Sequence, residues 1–223
     1  MRIKNTKPRP EPPSLLEEKK LGERGYHLIA GIDEVGRGAL AGPVVAAAVI
    51  LPQLAAFPLL DSVRDSKELS PARRDFLFGL IKEEATAIGI GIIAAETIDS
   101  IGILHATRAA MCKAVEKLAC SPDFLLIDAL TLPQLTITQK GIIKGDKLCL
   151  SIACASIIAK VARDRIMVEF DTIHPGYGLA QHKGYGTRQH FSCLHQQGPS
   201  PIHRYSFAPV RESSISNNRF NNS

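Results

Sequence analysis

The sequence predicts an α/β layer domain followed by a small, loop-rich C-terminal part. Three observations carry this expectation. Apolar runs of strand length alternate with longer segments of helical periodicity. The chain has 223 residues, 45% of them hydrophobic, enough for one real core. From His174 onward the composition turns to Gly, His, Gln and Pro.

The first 25 residues mix prolines with alternating charges and read as a flexible tail, with a short helix over residues 14–21. Residues 26–33 (YHLIAGID) form a strand with a polar end. Residues 43–51 (PVVAAAVIL) are a continuous apolar run bounded by Pro43 and Pro52, hence a buried strand. Ser70-Pro71 starts a helix, Ser as cap and Pro at the first helical position. Phe76, Leu77, Leu80 and Ile81 then share one face. Residues 87–96 give a strand, 105–120 a helix, 124–128 (FLLID) a buried strand and 135–146 a strand. Residues 151–173 are a long helix with Ile157, Ile158 and Val161 toward the core. One short helix is expected around Arg188–Gln197. The expected division is a tail over 1–25, a main domain over 26–172, an extension over 173–210 and a disordered Ser/Asn-rich tail over 211–223.

The net charge of +5 and pI near 9.0 permit a polyanionic partner. No apolar run reaches the roughly 18 residues of a membrane span, and no secretory signal is visible. Five cysteines without a CxxC pair read as reduced thiols, and a cytoplasmic location follows.

The chemistry sits at strand ends. Asp33-Glu34 follow LIAGI, Asp128 follows FLLI, and Asp146 follows a strand-like segment. An acid at a strand end is often only a turn former or a helix cap. Clustered carboxylates, however, repel one another unless a cation sits between them, and oxygen ligands suit Mg²⁺ or Mn²⁺ rather than zinc. Gly36-Arg37-Gly38 lacks the spacing of a dinucleotide fingerprint, since the next glycine, Gly42, comes four residues on and a strand follows. No GxxxxGK[ST] is present either. What remains is a tight loop whose backbone can approach a ligand, with an Arg able to meet phosphate. From Lys140 to Arg204, nine basic residues stand against four acidic ones, an excess equal to the whole net charge. A solvated helix face explains part of it. HKGYGTRQHF also fits a nucleic-acid loop, where a ring stacks and cations meet phosphates.

AGIDEVGRGALAGPVVAAAVIL, DSKELSPARR, FLLIDA, IIKGD, ASIIAKVARDR, and QHKGYGT with HRYSFAPV resemble the ribonuclease HII family in order and spacing, over residues 27–210. The resemblance implies a ribonuclease H-like fold, a central mixed sheet flanked by helices with a small C-terminal helical extension. It implies a monomeric endonuclease that hydrolyses the RNA strand of RNA–DNA hybrids. It also implies incision 5′ to ribonucleotides embedded in DNA, leaving 3′-hydroxyl and 5′-phosphate ends. The metal-binding and catalytic acids fall on Asp33, Glu34, Asp128 and Asp146, with Mg²⁺ or Mn²⁺ in a two-metal arrangement. Gly36, Arg37 and Gly38 would read the 2′-hydroxyl at the RNA-to-DNA junction. Tyr185 would stack on the adjoining sugar, and Lys67 and Lys183 would lie near phosphates. The family often carries Gly after its third acid, where Ala129 stands here. A non-catalytic hybrid-binding protein, or another nuclease of the same fold, are the alternatives.

Overall fold

The structure, a computed structural model, describes residues 12–52, 63 and 69–213. In chain order the elements are α1 (Leu16–Gly22), β1 (Ile29–Val35), β2 (Val44–Ile50), α2 (Pro71–Glu84), β3 (Ala87–Ile93), α3 (Ala95–Ile101) and α4 (Ile103–Glu116). They continue with β4 (Phe124–Asp128), β5 (Thr138–Ile142), α5 (Gly145–Leu148), α6 (Leu150–Ile173), α7 (Leu179–His182) and α8 (Arg188–Gln197).

The strands form one mixed sheet in the order β3-β2-β1-β4-β5. β2 is antiparallel to β1 and β3, while β1, β4 and β5 run parallel. The apolar run after Pro43 becomes β2, buried along its whole length. Its side chains alternate between two cores. Val44, Ala46, Ala48 and Ile50 join α3, α4 and β4 on one face, and Ala47 and Val49 join α2 and α6 on the other. Close helix approach depends on missing side chains. A Cβ on Gly91 would stand 1.9 Å from the Ala110 carbonyl oxygen of α4, and one on Gly31 would stand 2.2 Å from the Ser151 carbonyl carbon of α6. The arrangement is the mixed sheet flanked by helices that the sequence predicts. Leu40, Ala41, Met167, Tyr177, Leu179, Leu194 and Val210 make a smaller core that fastens the C-terminal extension to the loop after β1. Among the described residues no helix is long and apolar enough to cross a membrane.

Several sequence expectations need correction. Residues 12–25 are not a free tail: α1 is helical and buries Leu21 against Phe124, Leu126, Cys149 and Ile152. The strand expected over 87–96 stops at Ile93, and α3 follows from Ala95. The strand expected over 135–146 is confined to β5, and Asp146 lies on α5. Lys144 takes a left-handed conformation (φ 59°), which ends the strand direction and turns the chain into that helix. Phe76 is exposed on α2 beneath Arg73, while Leu77 and Ile81 face the core.

Candidate active site

Parallel pairing of β1 with β4 brings the acids together. The last paired residues are Ile32 and Ile127, so Asp33 and Asp128 leave the two strands side by side. Asp128 Oδ1 accepts the Gly145 N–H at 2.7 Å, which draws α5 and Asp146 onto the same sheet end. Asp33 and Asp146 are both buried, each with 5% exposure. Ser156 of α6 donates to the Asp33 carboxylate, and the Glu34 N–H donates to Asp33 Oδ1 at 2.7 Å. Glu34 Oε1 accepts from Arg37 Nη1 at 3.2 Å, whereas its buried Oε2 has no hydrogen-bond partner.

This is an electrostatically unbalanced cluster. Burial, then the charges of Glu34 and Asp128, hold the Asp33 carboxyl well above the usual carboxylate range. Burial also raises Glu34, with Arg37 opposing it. Among the described residues no three His, Cys, Asp or Glu side chains stand together in ligand geometry. Like-charge repulsion favours the spread, and Asp33, Glu34 and Asp128 have each turned to a donor of their own. The donor set still fits a hard divalent cation: it is all carboxylate oxygen, and the orphaned Glu34 Oε2 lies buried beside a second acid.

Next to the acids is the turn Gly36–Ala39, closed by the Ala39 N–H on the Gly36 carbonyl at 3.3 Å. Arg37 and Gly38 are exposed. A Cβ on Gly38 would meet nothing within 4 Å. Gly36 differs: its φ is +92°, and a Cβ there would stand 2.2 Å from Arg163 Nε. Two fully buried arginines support this loop. Arg163 donates to the carbonyls of Pro43, Ala41 and Lys183 at 2.9, 3.1 and 2.9 Å. Arg204 donates to the carbonyl of Gly42 from both Nε and Nη2, at 3.0 and 2.9 Å, and to that of Arg37 at 2.8 Å. Burial, then the neighbouring Arg163, lowers Arg204 to about 9.

The second loop carries Tyr185. Its ring is half-buried, with the Arg163 guanidinium carbon 5.4 Å from the ring centroid. Gly184 binds the first loop: its carbonyl accepts from Leu40 N–H at 2.8 Å, and a Cβ on it would stand 2.5 Å from the Ala41 oxygen. Gly184 therefore makes room for this chain's own backbone. Lys183 has a left-handed backbone (φ 52°), and its ammonium donates to the Ala180 carbonyl. A histidine ladder stands behind the loop. His182 stacks on His190 at 4.4 Å, and His190 Nδ1 lies 3.1 Å from the Tyr185 carbonyl. His190 Nε2 meets His203 Nε2 at 3.0 Å. Lys67 lies outside the described residues, as do Asp65 and Ser66.

The charge excess of the second half is thus only partly available to a polyanion. Arg163 and Arg204 are buried, Lys160 pairs with Asp164, and Arg165 pairs with Asp75. Sequence reasoning counted the two arginines only within the basic excess and missed Ser156 and the histidine ladder. For Arg163 a signal existed: it is four residues from both Ala159 and Met167, on the buried stripe of α6.

The sequence profile of the ribonuclease HII family matches residues 30–210. A ribonuclease HII of Dehalococcoides mccartyi is 57% identical over 170 residues, covering 76% of this chain and 80% of that protein. One from Geotalea uraniireducens is 56% identical over 183 residues, covering 82% and 83%. Among solved structures, the ribonuclease H2 of Pyrococcus horikoshii superposes with a TM-score of 0.73 at 24% identity, covering 87% of this chain and 99% of that one. That last likeness concerns the fold.

Proposed function

The chain belongs to the ribonuclease HII family, the endoribonucleases of RNA–DNA hybrids, and from that premise we propose that it incises DNA 5′ to embedded ribonucleotides with a divalent cation, Mg²⁺ or Mn²⁺. Asp33, Glu34, Asp128 and Asp146 would hold the cation. When bound, such a cation supplies electrophilic activation of the phosphodiester and a lowered pKa for the attacking water. The ends left would be 3′-hydroxyl and 5′-phosphate.

One observation carries the reading: the exposed turn at Arg37-Gly38 is tied to the acid cluster through the Arg37–Glu34 ion pair. Open space above Gly38 lets a ribose approach the backbone, where a peptide group can meet its 2′-hydroxyl. Hydrolysis by a cation-activated water would not use that hydroxyl as the nucleophile, which leaves it free for recognition. Tyr185, held by Arg163 and following the Gly184 carbonyl that is bonded to Leu40, would offer its ring to the adjoining sugar. A bound cation would favour the ionised form of Asp33, whose proton affinity is raised, and would give the orphaned Glu34 oxygen a partner. Lys183 lies beside Tyr185 and is assigned to a phosphate, together with Lys67. The enzyme would act as a cytoplasmic monomer.

The test is a labelled DNA duplex with one ribonucleotide, incubated with Mg²⁺ or Mn²⁺ and compared with an all-DNA duplex. Cleavage 5′ to the ribonucleotide, absent in EDTA and on the all-DNA duplex, is expected. Cleavage that leaves a cyclic phosphate, or that persists in EDTA, would overturn the reading.

A further inference from the structure

The segment before β1 is stitched to the α5–α6 junction, next to Asp146. Ser14 N–H donates to the Leu148 carbonyl at 3.0 Å, and its own carbonyl accepts the Leu150 N–H at 3.0 Å. Glu18 then reaches the start of α6, where its Oε1 accepts the Ser151 N–H at 3.0 Å and the Ser151 hydroxyl at 2.7 Å. The first turn of α6 has no side-chain cap of its own, so Glu18 supplies one from outside the helix. Glu17 adds an ion pair to Lys140 of β5. Leu21 packs on Cys149 and Ile152 across the same junction.

Two groups of the candidate site adjoin this junction. Asp146 sits on the single turn of α5, which Asp128 holds from one side through Gly145 and Ser14 holds from the other at Leu148. Ser156 of α6, one and a half turns past the capped end, donates to Asp33. Both are oriented by a backbone whose free end is fastened by residues 14–21.

We propose that Ser14 and Glu18 form a clamp that positions Asp146 and Asp33 for cation binding, making Glu18 a positioning residue of the hydrolytic site. This rests on the assignment of those acids to a divalent cation. If the clamp and the cation favour the same arrangement, each must strengthen the other by the same factor.

The wild-type chain is tested first, without nucleic acid. Mn²⁺ should slow amide hydrogen exchange in peptides covering residues 14–22 and 145–152. Glu18→Ala should then raise the Mn²⁺ concentration that half-saturates the melting-temperature shift by about tenfold, the loss expected of an unsatisfied cap. Glu18→Gln, which keeps an acceptor for Ser151, should stay within about twofold of wild type. Glu17→Gln, which leaves the cap in place, should behave as wild type. With Mn²⁺ saturating for each protein, KM for a hybrid substrate should be the same in all four. If Mn²⁺ binds the wild type but leaves those peptides' exchange unchanged, the clamp is refuted, whether or not Glu18→Ala folds. Equal Mn²⁺ dependence in Glu18→Ala and wild type would refute it as well. If Mn²⁺ does not bind the wild type at all, the metal assignment itself fails.

Discussion

Gly36 lies directly against the buried guanidinium of Arg163: a methyl group there would stand 2.2 Å from Nε, on a backbone with φ +92°. The two outer members of the Gly-Arg-Gly turn therefore have different reasons to be glycine. Gly36 is required by the fold, whereas nothing in the fold requires a glycine at 38, and the proposed approach of a ribose would account for it. Gly36→Ala is expected to lower the melting temperature through both strain and collision. Gly38→Ala should melt as wild type, yet lose cleavage at an embedded ribonucleotide. Melting curves beside cleavage rates for the two variants check this, and normal activity in Gly38→Ala would remove the turn from recognition.

Ala129 follows the third acid with φ 52°, a conformation that costs a Cβ about 1 kcal/mol. Its N–H is engaged by the Ile142 carbonyl at 3.0 Å, so the strained residue is held by β5. Ala129→Gly should raise the melting temperature by about 2–4 °C. No change, or a loss, would show that chain entropy outweighs the relieved strain.

On the proposed reading, Tyr185 serves recognition and not hydrolysis. Stacking is typically worth about 1–3 kcal/mol, so Tyr185→Ala should lower cleavage at a single ribonucleotide by about ten- to hundred-fold. Tyr185→Phe should lose little, because the ring stacks and the hydroxyl does not. Comparison at fixed salt and saturating Mg²⁺ decides it, and equal impairment of Ala and Phe would assign the role to the hydroxyl.

The histidine ladder makes the Tyr185 loop acid-sensitive. Burial lowers both His190 and His203 to about 4, and His190 can accept the His203 Nε2 proton only while His190 itself is neutral. Unfolded histidine titrates near its ordinary 6.5, so the unfolded chain binds more protons between those values. The contribution to stability is complete above about pH 6.5 and is lost as pH falls toward about 4. Melting temperatures across that range should fall steeply for wild type and less steeply for His203→Gln. Parallel slopes would contradict it.

The sheet was legible because β2 and β4 are continuous apolar runs, and the acids because each follows such a run. Convergence was not legible, since it depends on β1 pairing with β4 in the register Ile32 to Ile127. Asp146 was found but placed on a strand, because Gly141-Ile142-Ile143 continues the strand pattern up to the left-handed Lys144. The burial of Arg163 and Arg204 was not legible for a different reason. Composition counts a guanidinium as surface charge, whereas backbone carbonyls of the Gly-Arg-Gly loop absorb both of these. The short helix before β1 was legible, but its docking was not, because Glu18 finds its partner, Ser151, 133 residues away.

The central claim is that the acid cluster performs the hydrolysis, and Asp33→Asn tests it most directly. Burial and neighbouring acids hold the Asp33 carboxyl high, so its ionisation costs stability that grows as pH rises through the folded value. Asn removes that cost, and the metal-free variant should melt at or above wild type at neutral pH. The deciding measurement is single-turnover cleavage of a duplex with one ribonucleotide at saturating Mg²⁺. A rate lower by about hundredfold or more, in a protein that melts normally, is the predicted result. Cleavage within about threefold of wild type would contradict the assignment of Asp33 to the catalytic centre.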